Sequence, residues 1–580
     1  MNTAASDGVT IEQATVTVQR QPQPTSLRPN AKQQRYDRQL RLWAASGQTA
    51  LEKASILVIN ATATASQTLK NLVLPGIGSF TLLDTAIVQP SDVGNNFFLE
   101  TSSLGKSRAE EVKRLLCELN ENVEGEARTE DWRTHLKGEE GQTRLSSYSI
   151  VIATSLDPTS SAELSDLCWE ASVPLIIVRS SGFLGFLRTQ LRQVPFVETH
   201  PDPANFVDLR LSEPFEELRQ HADSYDLDKL DSLEHGHVPA VVIYLKAMEK
   251  WKNEHDGKPP GTFKERKEFK LFIGKLKRTP DEENFDEAVA FVGLPKARSE
   301  LELPRDIAPL FSLPPISTSP TTGNNNPFWT LLAALQTFLK TPITSGGGGG
   351  FLPVTGVLPD MKATSKGYID LQRVYKDKSR KDMENFWKIL EDQGSKRGDL
   401  DDDFVTTFVK HAGYLKVVTG SRLRDEWKKP NGVENFSSDL KDPTSLLSHY
   451  LAFRTSDLFA LETGRYPGSF PSSSSSSSAN NDDGTADVPS LELKAKSLLA
   501  ELNVRWDLEE DQEEGEIPIA LSDSLGEITR GASSDLPQVA AFIGGMVSQE
   551  VIKIVTRQYV PLNGTCVYDG IRSQTQSWNF

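Results

Sequence analysis

The chain has 580 residues, enough for more than one domain, and its 37% hydrophobic content suffices for large cores. With 63 Lys and Arg against 80 Asp and Glu the net charge is -17, which argues against a nucleic-acid backbone or an anionic membrane as partner. Cys117, Cys168 and Cys566 are too scattered for a disulfide framework or a four-cysteine zinc site, and no signal peptide or run of about 18 apolar residues occurs, so the sequence predicts a soluble intracellular protein.

Residues 1–31 mix Gln, Thr, Pro and Ala without apolar periodicity and read as a disordered tail. Further on, Ile56-Leu57-Val58-Ile59 predicts a strand, Asn60-Ala61-Thr62-Ala63-Thr64-Ala65 a turn, and Leu69, Leu72 and Val73 a helix that stops at Pro75-Gly76. Phe80 to Leu83 predicts the next strand, ending in Asp84. Val112, Leu115, Leu116 and Leu119 share one helix face. Ile150 to Ile152 and Leu175 to Val178 are strands flanking a helix through Leu164, Leu167 and Ala171. Unbroken apolar strands alternating with helices predict an α/β fold whose mostly parallel sheet is covered on both faces.

From Pro195 to Pro518 helical patterns dominate: Val241 to Trp251, Glu265 to Leu276, Phe328 to Leu339, Ile369 to Leu390 and Leu446 to Leu461. The glycine run Gly346 to Gly350 and the serine run Ser472 to Ser478, with Asn480 to Asp483 after it, predict flexible loops near 341–351 and 467–490. Acidic clusters at Asp401 to Asp403 and Asp507 to Glu516 read as solvated surface, or as docking points for a basic partner. The end of the chain returns to the earlier grammar, with an apolar helix from Gln538 to Thr556 containing Gly544-Gly545 and a strand from Thr565 to Tyr568. The predicted division is a tail 1–31, a first α/β part 32–194, a helical insertion 195–518, and a return 519–580 that completes the sheet.

The turn at Asn60 to Ala65 is the most informative segment. A strand-turn-helix unit that cradles phosphates needs glycines, so that backbone N–H groups reach the ligand without a Cβ in the way. None is present here. The sequence therefore predicts a nucleotide-type fold that has lost its phosphate cradle; a degenerate site that still binds something is the alternative.

Arg35-Tyr36-Asp37-Arg38-Gln39-Leu40-Arg41-Leu42-Trp43, followed by Gly47-Gln48 and Leu51, resembles the opening segment of the ubiquitin-like-protein activating enzymes and their bacterial ThiF-like and MoeB-like adenylating relatives. Three further blocks are similar to one branch, the regulatory subunits of neddylation-activating enzymes. They are Ile59 to Thr64 with Lys70 to Phe80 and Gly94 to Leu99; Pro359-Asp360-Met361 with Tyr368 to Gln372; and Ala540 to Gly545 with Gln549 to Lys553. The resemblance spans about 32–580, and the long helical insertion sets it apart from the sumoylation counterpart.

It implies a Rossmann-like ThiF-type adenylation domain interrupted by a mainly α-helical domain that corresponds to the catalytic-cysteine domain of relatives. It also implies an obligate heterodimer. The catalytic subunit binds ATP and magnesium, adenylates the ubiquitin-like neddylation modifier and takes it on a cysteine, feeding cullin neddylation in cytoplasm and nucleus. The regulatory subunit completes the adenylation core and helps shape the groove for the modifier.

Several positions agree with the non-catalytic half. Catalytic relatives carry Asp-x-Asp and Asn-x-x-Arg-Gln, where this chain has Asp84-Thr85-Ala86 and Asp92-Val93-Gly94-Asn95-Asn96, losing a carboxylate and a bidentate arginine. Lys106 stands where relatives have a phosphate-facing lysine, yet alone at a helix start it also reads as a solvated residue. Asp157 lies near the place of the magnesium Asp, but Pro158-Thr159-Ser160-Ser161 follows and a helix cap is the better reading. No cysteine lies between Cys168 and Cys566, so the insertion offers no thioester nucleophile. No cofactor or metal is expected in this chain.

Arg38 is the candidate with positive chemistry. Spacing alone makes it a salt-bridged surface residue; the resemblance implies that it reaches into the partner's ATP site and offsets charge on the phosphates. Arg35 and Arg41 match no such position. His235 and His237 form a His-x-His pair inside a polar loop before Pro239, without a third ligand nearby. Trp43, Trp169, Trp251 and Trp329 read as core. The rivals are an autonomous oxidoreductase or adenylating enzyme, a regulatory subunit of another modifier pathway, and a pure scaffold.

Overall fold

The computed structural model describes residues 30–201, 208–293, 303–314, 326–469, 486–506 and 516–580. The predicted tail before residue 30, the serine run, 480–483 and the acidic cluster up to residue 515 lie outside the described residues.

An eight-stranded sheet organises the chain. Its strands are β1 (Ser55–Ile59), β2 (Ser79–Leu83), β3 (Glu124–Arg128), β4 (Ile150–Thr154), β5 (Leu175–Ser181), β6 (Leu184–Gln190), β9 (Gly564–Asp569) and β10 (Gln574–Trp578), in the order β10-β9-β6-β5-β4-β1-β2-β3. β1 to β5 run parallel, whereas β5-β6, β6-β9 and β9-β10 pair antiparallel. Alternate residues go to opposite layers, as the strand period of two requires. Ile56, Val58, Phe80, Leu82, Ile150 and Ile152 pack under the helices Ala63–Val73, Arg108–Cys117 and Pro537–Thr556. Leu57, Ile59, Leu83, Val151 and Ala153 face Trp132, Leu145, Leu164 and Cys168.

The helix Pro537–Thr556 is, among the described residues, the one long and apolar enough to cross a membrane by composition. Its apolar surface is used inside the protein. A Cβ on Gly544 would lie 2.8 Å from Gln67 Cβ, so glycine is what lets this helix approach Ala63–Val73 so closely.

The chain leaves the sheet through β7 (Val194–Val197), which pairs antiparallel with β8 (Leu415–Val418) on the way back. Helices between these strands form two apolar cores of their own, one around Tyr244, Phe269 and Tyr375, the other around Phe328, Phe386 and Phe408. The expected boundary at 518 does not fall on a break between cores. Leu447–Thr463, Val488–Glu501 and Ile519–Gly531 share a core with Leu184, Phe186 and Val567 of the sheet.

The glycine run is ordered, contrary to the flexible loop expected. Gly348 N donates to Phe338 O at 2.7 Å, Gly349 N to Thr341 O at 2.9 Å and Gly350 N to Leu339 O at 2.7 Å. These N–H groups satisfy carbonyls left open at the end of the helix Pro327–Lys340. A Cβ on Gly348 would fall 2.1 Å from Phe351 O, so the close wrap needs glycine. Two tryptophans also differ from expectation. Trp43 and Trp251 are buried, but Trp169 and Trp329 are half-buried, and the guanidinium groups of Arg192 and Arg422 lie over the Trp169 ring.

Candidate functional site

In a doubly wound sheet the ligand crevice lies where successive crossovers leave in opposite directions. Here that point is between the C-terminal ends of β1 and β4, and the glycine-free turn starts there. Asn60 adopts φ 66, a left-handed conformation that asparagine tolerates better than most residues. Its Nδ2 donates to Thr154 O at 2.8 Å, and Thr154 Oγ1 donates to Asn60 O at 2.9 Å. Thr62 caps the following helix by accepting from Ala65 N at 3.3 Å. Ala61 and Ala65 are fully buried, so their methyl groups are core rather than phosphate-facing surface.

Two of the turn's backbone donors are taken by the chain's own carboxylates. Ala61 N donates to Asp84 Oδ2 at 2.8 Å, and Thr64 N donates to Asp535 Oδ2 at 3.0 Å. Asp535 also accepts from Ser180 Oγ. A helix N-terminus with free N–H groups attracts an anion. Asp535 supplies one internally.

Asp84, almost fully buried, accepts from Ala86 N at 2.8 Å and pairs with Arg108 Nε at 2.7 Å. Arg108 Nη1 reaches Asp92 Oδ1 at 3.1 Å. Burial works against the Arg108 charge, but Asp84 and then Asp92 outweigh it and hold the group above its ordinary value. Sequence reading passed over Arg108 in favour of Lys106, two positions earlier. No local pattern pointed to it, because Arg108 lies 24 residues from Asp84 and 16 from Asp92.

The other expected positions are structural or exposed. Lys106 is exposed, with its Nζ 3.6 Å from Glu111. Asp157 caps Pro158–Glu170, accepting from Ser160 N at 2.9 Å. Tyr466 donates to Leu156 O at 2.9 Å and carries the Arg179 guanidinium over its ring, covering the crevice beside Asp157. His235 is not in a loop. It ends a short helix, is buried, bonds Glu282 at 2.7 Å and stacks on Phe285, while His237 binds Leu233 O. Asp401 caps Asp402–Lys410, which gives that acidic cluster a local purpose.

At this crevice Ala61 N and Thr64 N are bonded to Asp84 and Asp535, and Arg108 closes on Asp84. Among the described residues no three His, Cys, Asp or Glu side chains gather as a metal site. The thiols are also poor nucleophiles. Burial raises Cys168 far above its usual range, pushes Cys566 up to about 11 and raises half-buried Cys117.

Arg38 lies on the kinked helix Asp37–Lys53. Trp43 (φ -125, ψ 18) and Ala44 (φ 56, ψ -176) break the helix, and Ala44 occupies a region that is almost the preserve of glycine, at a cost of about 1 to 3 kcal/mol. On one side Tyr36 is buried, accepting from Asn120 Nδ2 at 3.2 Å over Gly76, where a Cβ would meet its hydroxyl at 2.5 Å. On the other, buried Trp43 donates its indole N–H to Gln48 at 3.2 Å, and Gln48 donates to Pro75 O at 3.0 Å. Gly47 leaves room for the Trp43 side chain, which a Cβ would meet at 2.8 Å. These contacts account for Tyr36, Trp43, Gly47 and Gln48 in the opening motif. Between the anchors, residues 37–42 form an exposed or half-exposed strut. Arg41 pairs with Asp37 at 3.0 Å and Arg35 lies over the Tyr36 ring, whereas exposed Arg38 has no ion-pair or hydrogen-bond partner among the described residues.

The five parallel strands and the crevice at their switch point, with the strut anchored at the opposite, C-terminal end of the helix Ala63–Val73, define an adenylation-type α/β protein. The ThiF family matches residues 36–580, and the chain belongs to it. Among its curated relatives, the NEDD8-activating enzyme E1 regulatory subunit of Gallus gallus is 37% identical over 565 residues, covering 95% of this chain and 98% of the relative. The Danio rerio protein of the same name is 35% identical over 94% of this chain and 98% of its own length. The Arabidopsis thaliana NEDD8-activating enzyme E1 regulatory subunit AXR1 is 34% identical over 96% and 97%. Within the ThiF family, the chain belongs to the NEDD8-activating enzyme E1 regulatory subunits.

Proposed function

We propose that this chain pairs with a catalytic E1 subunit, that the partner binds ATP and magnesium and adenylates the modifier NEDD8, and that this chain contributes Arg38 to the partner's site. The activated modifier then passes to the partner's cysteine and on toward cullins. The observation that carries this reading is the crevice, where Asp84 and Asp535 already occupy the backbone donors Ala61 N and Thr64 N, while Arg38 stands exposed and unpaired on a clamped strut. A guanidinium held outside its own crevice is placed to offset phosphate charge in another.

The test is calorimetric titration of ATP into the chain alone, the co-purified heterodimer, and the catalytic subunit alone. Binding to the heterodimer and none to this chain is expected. Millimolar or tighter binding to this chain alone would return the reading to an autonomous enzyme.

A further inference from the structure

We propose that Gln558 is a positioning residue for adenylation: its side-chain amide fixes the Trp43–Ala44 kink and so aims the strut that carries Arg38. The proposal rests on the reading of Arg38 given above. Where the helix breaks, the Trp43 carbonyl takes a donor from outside the helix. Gln558 Nε2 donates to it at 2.9 Å and also reaches Ser46 Oγ at 3.5 Å. The same nitrogen would lie 3.0 Å from a Cβ on Gly47, so amide, indole and glycine share one tightly filled corner.

Gln558 is itself rigidly held. It is buried, follows the left-handed cap Arg557 (φ 55) of the helix Pro537–Thr556, and its carbonyl accepts from Thr199 N at 3.1 Å. Next to it, Tyr559 OH donates to Leu42 O at 3.4 Å, a second tie to the end of the strut. The final part of the chain thus sets the direction of the strut at the start of the helix Asp37–Lys53. A conformation as unfavourable as that of Ala44 persists only where its surroundings over-determine it, and Gln558, which binds the Trp43 carbonyl itself, is part of those surroundings together with Gln48.

Geometry makes the kink matter. Arg38 lies five residues before Trp43, about 7.5 Å along the helix axis, so a change of about 20° at the kink would displace its Cα by about 2.6 Å. Tyr36 restrains the far end and reduces that movement, but a misplacement of about 1 Å is enough to cost up to about 10²-fold in rate.

The experiment is ATP–pyrophosphate exchange by the reconstituted heterodimer with Gln558→Ala and, because alanine leaves a cavity, Gln558→Met, which keeps the volume and removes the donor. Both are expected to form the complex and to lower kcat about 10-fold, with the KM for ATP changed less than about twofold. In an Arg38→Ala background, Gln558→Met is expected to cost nothing further. Losses that multiply in the double variant, or a wild-type rate for Gln558→Met, would overturn the proposal. A wild-type rate for Arg38→Ala alone would instead overturn the role of Arg38 on which it rests.

Discussion

Thr64 and Asp535 are 471 residues apart in sequence, and a 3.0 Å hydrogen bond joins the backbone N–H of one to the carboxylate of the other. The bond places a fixed negative charge on the first turn of the helix Ala63–Val73, the end of a helix that favours anions. Asp535→Ala is expected to cost about 1.5 to 3 kcal/mol in urea unfolding, the range for a hydrogen bond to a charged group. The variant should still fail to bind ATP, because Asp84 and Arg108 remain closed on each other. ATP binding by Asp535→Ala would show that this carboxylate alone keeps nucleotide out.

Removing Arg108 leaves Asp84 buried without its counter-charge. Arg108→Ala should therefore destabilise the chain by about 3 kcal/mol or more, the usual cost of breaking a buried pair from one side. Asp84→Asn combined with Arg108→Met should recover much of that loss. If the double variant is no more stable than Arg108→Ala, the pair is not what holds this corner together.

Arg38 is exposed and unpaired, so its removal should leave folding nearly unaffected. Arg38→Ala is expected to change unfolding stability by less than about 0.5 kcal/mol. In the reconstituted heterodimer it should slow pyrophosphate exchange by about 10² to 10³, the loss typical of one donor to developing charge. Equal rates for variant and wild type would favour a scaffold.

Burial, with Lys410 and His200 adding to it, pushes His411 down to about 4. In the unfolded chain the ring titrates near 6.5, so between about 4 and 6.5 the unfolded state binds the extra proton. Stability from this site therefore rises with pH across that window and is lost as pH falls through it. The ring is partly exposed, so screening reduces the effect to about 1 to 2 kcal/mol. Urea midpoints at pH 7 and pH 5 should differ less in His411→Gln than in the wild type; an equal difference would exclude this residue as the source.

The raised thiols predict that no modifier thioester forms on this chain. In the heterodimer charged with ATP and modifier, the adduct sensitive to reducing agent should run at the mass of the partner plus modifier. Iodoacetamide at pH 7.5 should alkylate the folded chain slowly, at Cys117 first. A thioester at Cys168 or Cys566 would contradict their burial, and one at half-buried Cys117 would show that its raised thiol still reacts.

The strands that were legible in the sequence are the ones buried on both faces. β1, β2, β4 and β5 are apolar runs because helices cover both sides of them. β3, Glu-Gly-Glu-Ala-Arg, and β10, Gln-Thr-Gln-Ser-Trp, are polar edge strands with no such signature. β6 escaped notice because Arg188, buried inside it, is neutralised by Glu426, a residue 238 positions later. The glycine run misled for a related reason: its composition is that of a linker, but the carbonyls at the end of the helix Pro327–Lys340 hold it down.

Sequence by itself determined the layered α/β class, the loss of the phosphate cradle, the lack of a thioester cysteine in the insertion and the candidacy of Arg38, because each depends on which residue types stand at closely spaced positions. Only the tertiary structure decided which groups meet the turn's backbone donors and which hold the kink at Trp43. Those answers rest on Asp535 meeting Thr64 and on Gln558 meeting Trp43, contacts between opposite ends of the chain that no local pattern of residues encodes.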